Sequence, residues 1–295
     1  MRPTLAVRAL LVLAALGACQ ATPPSSEKPL VIATFYPLYE FTRQVAGDHA
    51  EVVSLVPPGV EPHDWEPSPQ TLVQLGKARL FVYNGAGFEP WVQKLAGDIA
   101  PDRTLVVEAT KGIDLLSSGG RVDPHVWLDP LLAQRQVAAI AAGLAQIDGA
   151  HASGYADNAR AFIARLGQLD GALEAGLRDC ARRDVVTSHA AFGYLTRRYG
   201  LVQVPVTGLA PTAEPSPAEL AAVARLAQAR HVRYVFFESL VSPGLAEALA
   251  REIGAGTLVL NPIEGITAAQ AAAGTGYVAL MEANLQNLRA GLDCR

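Results

Sequence analysis

Four short apolar runs open the chain, at 31–35, 52–56, 80–84 and 104–108. They show little polar alternation, the pattern of parallel strands covered on both faces. Helical periodicities fall between and after them, at 37–46, 68–78, 89–100 and 131–147, the last with Val137, Ile140, Leu144 and Ile147 three and four residues apart. The longest periodic segment is 152–180, where Tyr155, Ala159, Phe162, Leu166, Leu169, Leu173 and Leu177 keep one apolar stripe. At 1.5 Å per residue it would run roughly 40 Å, enough to cross a whole domain. Gly167, Gly171 and Gly176 lower its intrinsic helicity, so packing must hold it. The theme then repeats, with strand patterns at 184–188, 201–206, 232–238 and 257–260 and helical ones at 218–229, 244–253 and 268–290. The fold class expected is α/β: two lobes, each with a roughly four-stranded, mostly parallel sheet flanked by helices, joined by one long rigid helix. The boundaries are 29–150 for the N-terminal lobe, 151–181 for the linking helix and 182–295 for the C-terminal lobe. The two halves share an architecture but not a repeated sequence.

The N-terminus changes the picture by giving a compartment. Arg2 and Arg8 precede an apolar run, 9–16, that is too short to span a membrane and reads as a secretory signal over 1–18. It ends Leu16-Gly17-Ala18-Cys19, which resembles the bacterial lipobox and implies cleavage before Cys19 and lipidation of its sulfur. Residues 19–28 then form a polar, proline-bearing tether. Removing residues 1–18, with two arginines and no acid, takes the formal net charge from −4 to −6. That balance argues against a nucleic-acid partner, which wants a basic surface. With 50% hydrophobic and 18% charged residues, the rest is a globular chain with a sizeable core. Of the three cysteines, Cys180 and Cys294 remain, and an extracytoplasmic setting permits a disulfide between them, preferred here over two free thiols.

Candidate chemistry rests on three histidines in separate settings: His63 in Glu61-Pro62-His63-Asp64-Trp65-Glu66-Pro67, His125 in Asp123-Pro124-His125-Val126-Trp127-Leu128-Asp129-Pro130, and His189 in Thr187-Ser188-His189-Ala190-Ala191-Phe192-Gly193-Tyr194. Spacings of 62 and 64 residues exclude a small zinc finger. Ligands of open parallel sheets sit beyond the carboxyl ends of the strands. His63 follows the run 52–56, His125 follows 104–108 by a longer loop, and His189 directly follows 184–188. All three therefore belong on one rim, in the cleft between lobes, where imidazoles can meet at a metal ion. Pro62 and Pro124 stiffen the backbone just before two of them. His49, His151 and His231 lie in a turn, at a helix start and before a strand, and are not expected to be ligands.

The segments Gly59-Val60-Glu61-Pro62-His63-Asp64-Trp65-Glu66-Pro67-Ser68-Pro69 and Asp123 to Pro130 resemble the two metal motifs of the zinc/manganese solute-binding lipoproteins of bacterial ABC transporters. Phe35-Tyr36-Pro37-Leu38, Tyr83-Asn84-Gly85 and the pattern Tyr277, Leu280, Met281, Asn284 match family positions too. The resemblance covers the chain after residue 28 and implies two α/β lobes bridged by a rigid helix. Its third ligand tends to be histidine in zinc binders and a carboxylate in manganese binders. His189 therefore points to Zn²⁺ over Mn²⁺, in line with the preference of manganese for oxygen. At the fourth position many members carry a ligating Asp where this chain has Leu260-Asn261-Pro262-Ile263-Glu264-Gly265. Glu264 is the favoured ligand, with Glu61, Asn261 and water as alternatives. Asp64, Asp123, Asp129 and Glu238 are the acids available to orient the histidines, each equally a cap or a surface charge. The histidine- and acid-rich loop that many zinc members carry before the second motif is absent, since 111–122 is short and has no histidine.

The function implied is capture of Zn²⁺ outside the cytoplasmic membrane and delivery to an ABC permease with its cytoplasmic ATPase. The protein would be a monomer held to the membrane through lipid on Cys19. Two readings of other classes compete. Three histidines plus water is also a catalytic zinc arrangement, although no nucleophile motif and no His-Glu-X-X-His helix accompanies it. The third is a surface adhesin or scaffold whose histidines are incidental.

Overall fold

The computed structural model describes residues 28–95, 99, 102–211 and 215–295. The signal, the lipidated Cys19 and nearly all of the tether expected at 1–28 lie outside the described residues, as does part of the 89–100 segment. In the first lobe β1 (Leu30–Ala33), α1 (Tyr36–Ala46), β2 (Glu51–Ser54), α2 (Pro69–Leu75), β3 (Leu80–Tyr83), α3 (Pro90–Leu95) and β4 (Leu105–Glu108) alternate. A two-residue-stranded hairpin, β5 (Ser117–Ser118) and β6 (Arg121–Val122), leads through a short 3₁₀ turn, Val126–Leu128, to α4 (Pro130–Ile147). A second 3₁₀ turn opens α5 (Ala152–Arg178), the linking helix. The second lobe contains β7 (Asp184–Thr187), α6 (Gly193–Arg198), β8 (Val202–Pro205), α7 (Pro217–Ala229), β9 (Tyr234–Phe237), α8 (Gly244–Ile253), β10 (Gly256–Val259), α9 (Ala268–Ala272) and α10 (Tyr277–Leu292).

The sheets run β2-β1-β3-β4 and β10-β9-β7-β8, with every pairing parallel. Val31 of β1 stands opposite both Val52 and Leu80, which fixes the register of the first sheet. Coverage on both faces, expected of all strands, holds for the central ones: Val31, Ile32, Ala33, Leu80, Phe81, Val82, Val185 and Val186 are fully buried. The edge strands β2 and β4 are only partly covered, because each has a neighbour on one side. Several helices start on local signals. Pro37 opens α1, Asp129 caps α4 by accepting the N–H of Leu131, and Ser216 with Glu219 forms a capping box on α7.

The apolar stripe of α5 is buried at Tyr155, Ala159, Phe162, Leu166, Leu169, Leu173 and Leu177. One apolar cluster runs from Val31 and Leu80 of the first lobe, along this stripe, to Val185, Leu288 and Leu292 of the second. Of the three glycines that weaken α5, Gly176 has a packing reason: a Cβ there would lie 2.9 Å from Leu285 of α10. Cys180, beyond the end of α5, is bonded to Cys294 beyond the end of α10, and the backbones pair alongside through Ala181 to Asp293 and Arg182 to Leu292.

Two expectations need correction. The single helix expected over 268–290 is two, because Gly274 at φ 66° and Gly276 break it between α9 and α10. The short helix α6, in the interval between strands where a helix was expected, has no clear periodicity, and the β5–β6 hairpin was not expected. Both are too short to set up a periodicity, although Gly119-Gly120 marks the hairpin turn.

The Leu166→Ala variant should lose about 2–5 kcal/mol of stability, since its side chain is fully buried in the joint between lobes; denaturant melts check this. Replacing both Cys180 and Cys294 by serine should cost at most about 5 kcal/mol for a loop of 114 residues. It should leave ligand affinity at the strand carboxyl ends unchanged, a contrast that paired melting and binding curves would test.

Candidate metal centre

The carboxyl ends of the two sheets face one another across the cleft, and four side chains converge there. His63, His125, His189 and Glu264 each offer one ligand atom, and these atoms all lie within 4.8 Å of one another. A single carboxylate oxygen, Glu264 Oε1, stands 3.3 Å from His63 Nε2, 3.1 Å from His125 Nε2 and 3.2 Å from His189 Nε2. The histidine rings are 5.4–5.7 Å apart between centroids. His125 and His189 are fully buried, Glu264 nearly so, and the side chain of His63 is 10% exposed.

Two of the imidazoles are oriented from behind. The Nδ1 of His125 bonds Asp123 Oδ1 at 2.7 Å, and the Nδ1 of His189 bonds Glu238 Oε1 at 2.6 Å. Donation from Nδ1–H fixes the tautomer and leaves the Nε2 lone pair facing the cleft. Apart from its 3.1 Å approach to Glu264 Oε1, His125 Nε2 is a buried atom without a hydrogen-bond partner among the described residues. Three lone pairs aimed at a carboxylate oxygen repel it unless protons or a cation lie between them. The donor set fits a cation of zinc's preferences. Tetrahedral ligands at about 2.0–2.1 Å from zinc stand about 3.3 Å from one another, close to the three Glu264–histidine spacings.

The electrostatics point the same way. Burial alone would raise the Glu264 carboxyl, but the charges of His63 and His189 and hydrogen bonds from His125 and His189 hold it well below the usual carboxylate range. Burial likewise opposes charge on His189, yet Glu238 and Glu264 lift its conjugate acid to about 10. His125 is raised against its burial by bonds to Asp123 and Glu264.

The other candidates do not place a donor atom in the cluster. Glu61 folds back to accept the backbone N–H of His63 at 3.0 Å, and burial with the neighbouring Glu264 charge pushes it up to about 7. Asn261 accepts the N–H of Ile263 at 2.7 Å, so its oxygen is turned into its own loop and away from the cluster. Asp129, considered as a ligand or supporting acid, instead caps α4 and lies 3.6 Å from Arg198. Asp64 is exposed. His49 and His151 stack on each other with ring centroids 4.4 Å apart, outside the cluster.

Several supporting residues were missed. Phe88 packs edge-on to His63 at 4.8 Å, and Phe35 and Trp127 continue that aromatic wall. Asn84 donates to the Pro124 carbonyl just before His125, at 3.0 Å, and receives a bond from Gln136. Glu89, buried and pushed up to about 7 by that burial, accepts from Thr34 and from the backbone of Asn84 and Gly85. The one sequence signal for Glu89 is an acid immediately before Pro90 on a loop that follows a strand. Tyr194 of the second lobe reaches across, receiving the N–H of Leu116 and donating to the Asp123 carbonyl, each at 2.8 Å.

Comparison with known proteins follows this geometry. The family model for ZnuA, zinc-uptake complex component A, periplasmic, matches residues 31–291. The high-affinity zinc uptake system protein ZnuA of Bacillus subtilis is 38% identical over 281 residues, covering 90% of this chain and 88% of that protein. The zinc-binding lipoprotein AdcA of Streptococcus pneumoniae is 37% identical over 293 residues, but the chain spans only 58% of its length. Among solved structures, the Zn(II)-bound ZnuA-like domain of that AdcA superposes with a TM-score of 0.81 at 41% identity, covering 90% of this chain and 99% of the domain. The laminin-binding protein Lmb of Streptococcus agalactiae, described as bifunctional in adhesion and metal transport, gives 0.83 at 32% identity, with 90% and 100% covered. The family match starts within the first strand and ends within the last helix, and the chain belongs to the ZnuA family.

Proposed function

We propose that this chain captures Zn²⁺ outside the cytoplasmic membrane and delivers it to an ABC permease driven by a cytoplasmic ATPase. The observation that carries the reading is the convergence of three imidazole Nε2 atoms and one carboxylate oxygen in a nearly closed cleft. His63, His125, His189 and Glu264 are the ligands. Three nitrogens and one oxygen suit zinc, whereas manganese prefers an oxygen-rich set of higher coordination number. Glu238 and Asp123 orient His189 and His125. Lipid on Cys19 anchors a monomer through the tether, and the units 29–150, 151–181 and 182–295 act as lobe, link and lobe. Relatives named as zinc-uptake and zinc-binding proteins support the same assignment.

A hydrolase is the weaker reading. A catalytic zinc keeps a position open for water or substrate, whereas four protein donors close this one. The family is a transport family, which agrees.

Metal-stripped protein should bind one Zn²⁺ tightly and Mn²⁺ much more weakly, and zinc should raise its Tm by mass action. The His189→Ala variant should lose more than the roughly 10–100-fold typical of deleting a supporting group. Competition titrations with both ions measure this, and tighter manganese than zinc binding would overturn the ligand argument. Zinc entry must also displace protons. With His189 held up to about 10, the metal-free site carries a proton at neutral pH. Zinc affinity should therefore fall as pH falls, with at least one proton released per ion at pH 7. Calorimetry in buffers of different ionisation heat reads that number, and zero release contradicts the prediction.

A further inference from the structure

Asn261 stands three residues before Glu264, on the loop that leaves β10. It does not reach the imidazoles. Its Oδ1 accepts the N–H of Ile263 at 2.7 Å, which closes a side-chain turn over Pro262. Its backbone is clamped on both sides by one residue of α10: its N–H donates to Asn284 Oδ1 at 2.8 Å, and its carbonyl accepts from Asn284 Nδ2 at 2.7 Å. The next carbonyl, of Pro262, accepts from Trp127 Nε1 at 2.8 Å, across the cleft from the first lobe.

Ile263 follows with φ at 59°, the left-handed region that a β-branched residue rarely enters, and its side chain is fully buried. Such a conformation persists only where its surroundings fix it. Glu264 comes next, and then Gly265, where a Cβ would lie 2.8 Å from Leu240 and 3.3 Å from the Val60 carbonyl. The chain thus turns left-handed at Ile263 and threads between the lobes at Gly265. The Glu264 side chain leaves between those two points, toward the histidines. If Ile263 relaxed to a right-handed or extended φ, the same side chain would leave in another direction.

We infer that Asn261 is a positioning residue for zinc: its side-chain turn, with the Asn284 clamp, fixes the Pro262–Ile263 peptide from which the left-handed Ile263 aims the Glu264 carboxylate at the three imidazoles. This rests on the zinc-capture reading given above. The role is distinct from ligation, because the Asn261 oxygen is committed to the Ile263 N–H.

The test is a double-mutant cycle on the full-length protein, read as Zn²⁺ affinity by chelator competition. Asn261→Ala should weaken zinc binding about 10–100-fold in the parent. It should change nothing in a Glu264→Gln background, because it acts only through that carboxylate. Asn261→Ser keeps a weaker acceptor and should show the same coupling at smaller size, which serves where alanine fails to fold. Equal losses in both backgrounds overturn the inference and leave zinc capture standing. A parent protein without a tight zinc site overturns both.

Discussion

A carboxylate placed in a buried cleft among three imidazoles sets the terms for the rest of this structure. Taken alone, Glu264 would be protonated by its burial, and His125 and His189 would be neutral for the same reason. Together they reverse one another. The histidine charges keep Glu264 ionised, while Glu264, Glu238 and Asp123 keep histidine protons in place. The cleft therefore has a standing demand for positive charge. Protons meet it in the free protein, and a divalent ion meets it with better geometry, because one ion reaches four donors at once. Glu61 does not add a permanent fourth anion, since burial and Glu264 push it up to about 7. Capture and acid sensitivity are two expressions of one electrostatic field.

That field needs donors from both lobes held to within fractions of an ångström, which is what the architecture provides. Parallel sheets put all their carboxyl ends on one side, so loops after β2, β4, β7 and β10 reach one cleft. The linking helix makes the lobes one solid, because its stripe belongs to a single core shared by both. Bonds crossing the cleft add to this: Gly59 N–H to the Ile266 carbonyl, Tyr36 to the Thr275 carbonyl, and Tyr277 to the Trp127 carbonyl. Arg198 of α6 joins Asp170 of the helix and approaches Asp129 of the first lobe. Wide hinge opening would expose the α5 stripe.

The parts of this arrangement that were legible in the sequence are those with local chemistry. Apolar runs separated by 3.6-residue periodicities reveal the strands and helices, and the strand-end rule then brings His63, His125 and His189 together. The stripe of α5 is readable because seven apolar positions keep one phase. Side-chain direction inside loops is not readable in the same way. Asp123, Asp129 and Glu238 look alike as acids, yet one orients His125, one caps a helix and one orients His189. The difference is a matter of where neighbouring elements stand. The break between α9 and α10 was visible as two glycines, but alanine-rich flanks outweighed them. Asn84, Glu89 and Tyr194 act through long-range bonds, and no spacing announces those.

Glu264 sits at the boundary of what sequence can carry. Its loop position marked it as one ligand candidate among several, and Asn261-Pro262 marks a turn before it, but not the direction in which that turn aims the carboxylate. Left-handed residues usually declare themselves as glycine or asparagine. Here the left-handed residue is Ile263, packed in the core, and the asparagine stands two positions earlier as the acceptor that holds it. A buried isoleucine at this point contributes apolar packing that glycine would lack, while the conformational cost, on the order of 1–3 kcal/mol, is borne by the Asn261 turn and the Asn284 clamp. The same exchange explains the coordination number. A rigid loop that delivers one carboxylate oxygen, opposite three rigidly oriented imidazoles, cannot swing in a second oxygen or admit several waters. An ion content with four ligands fits; one that requires six does not.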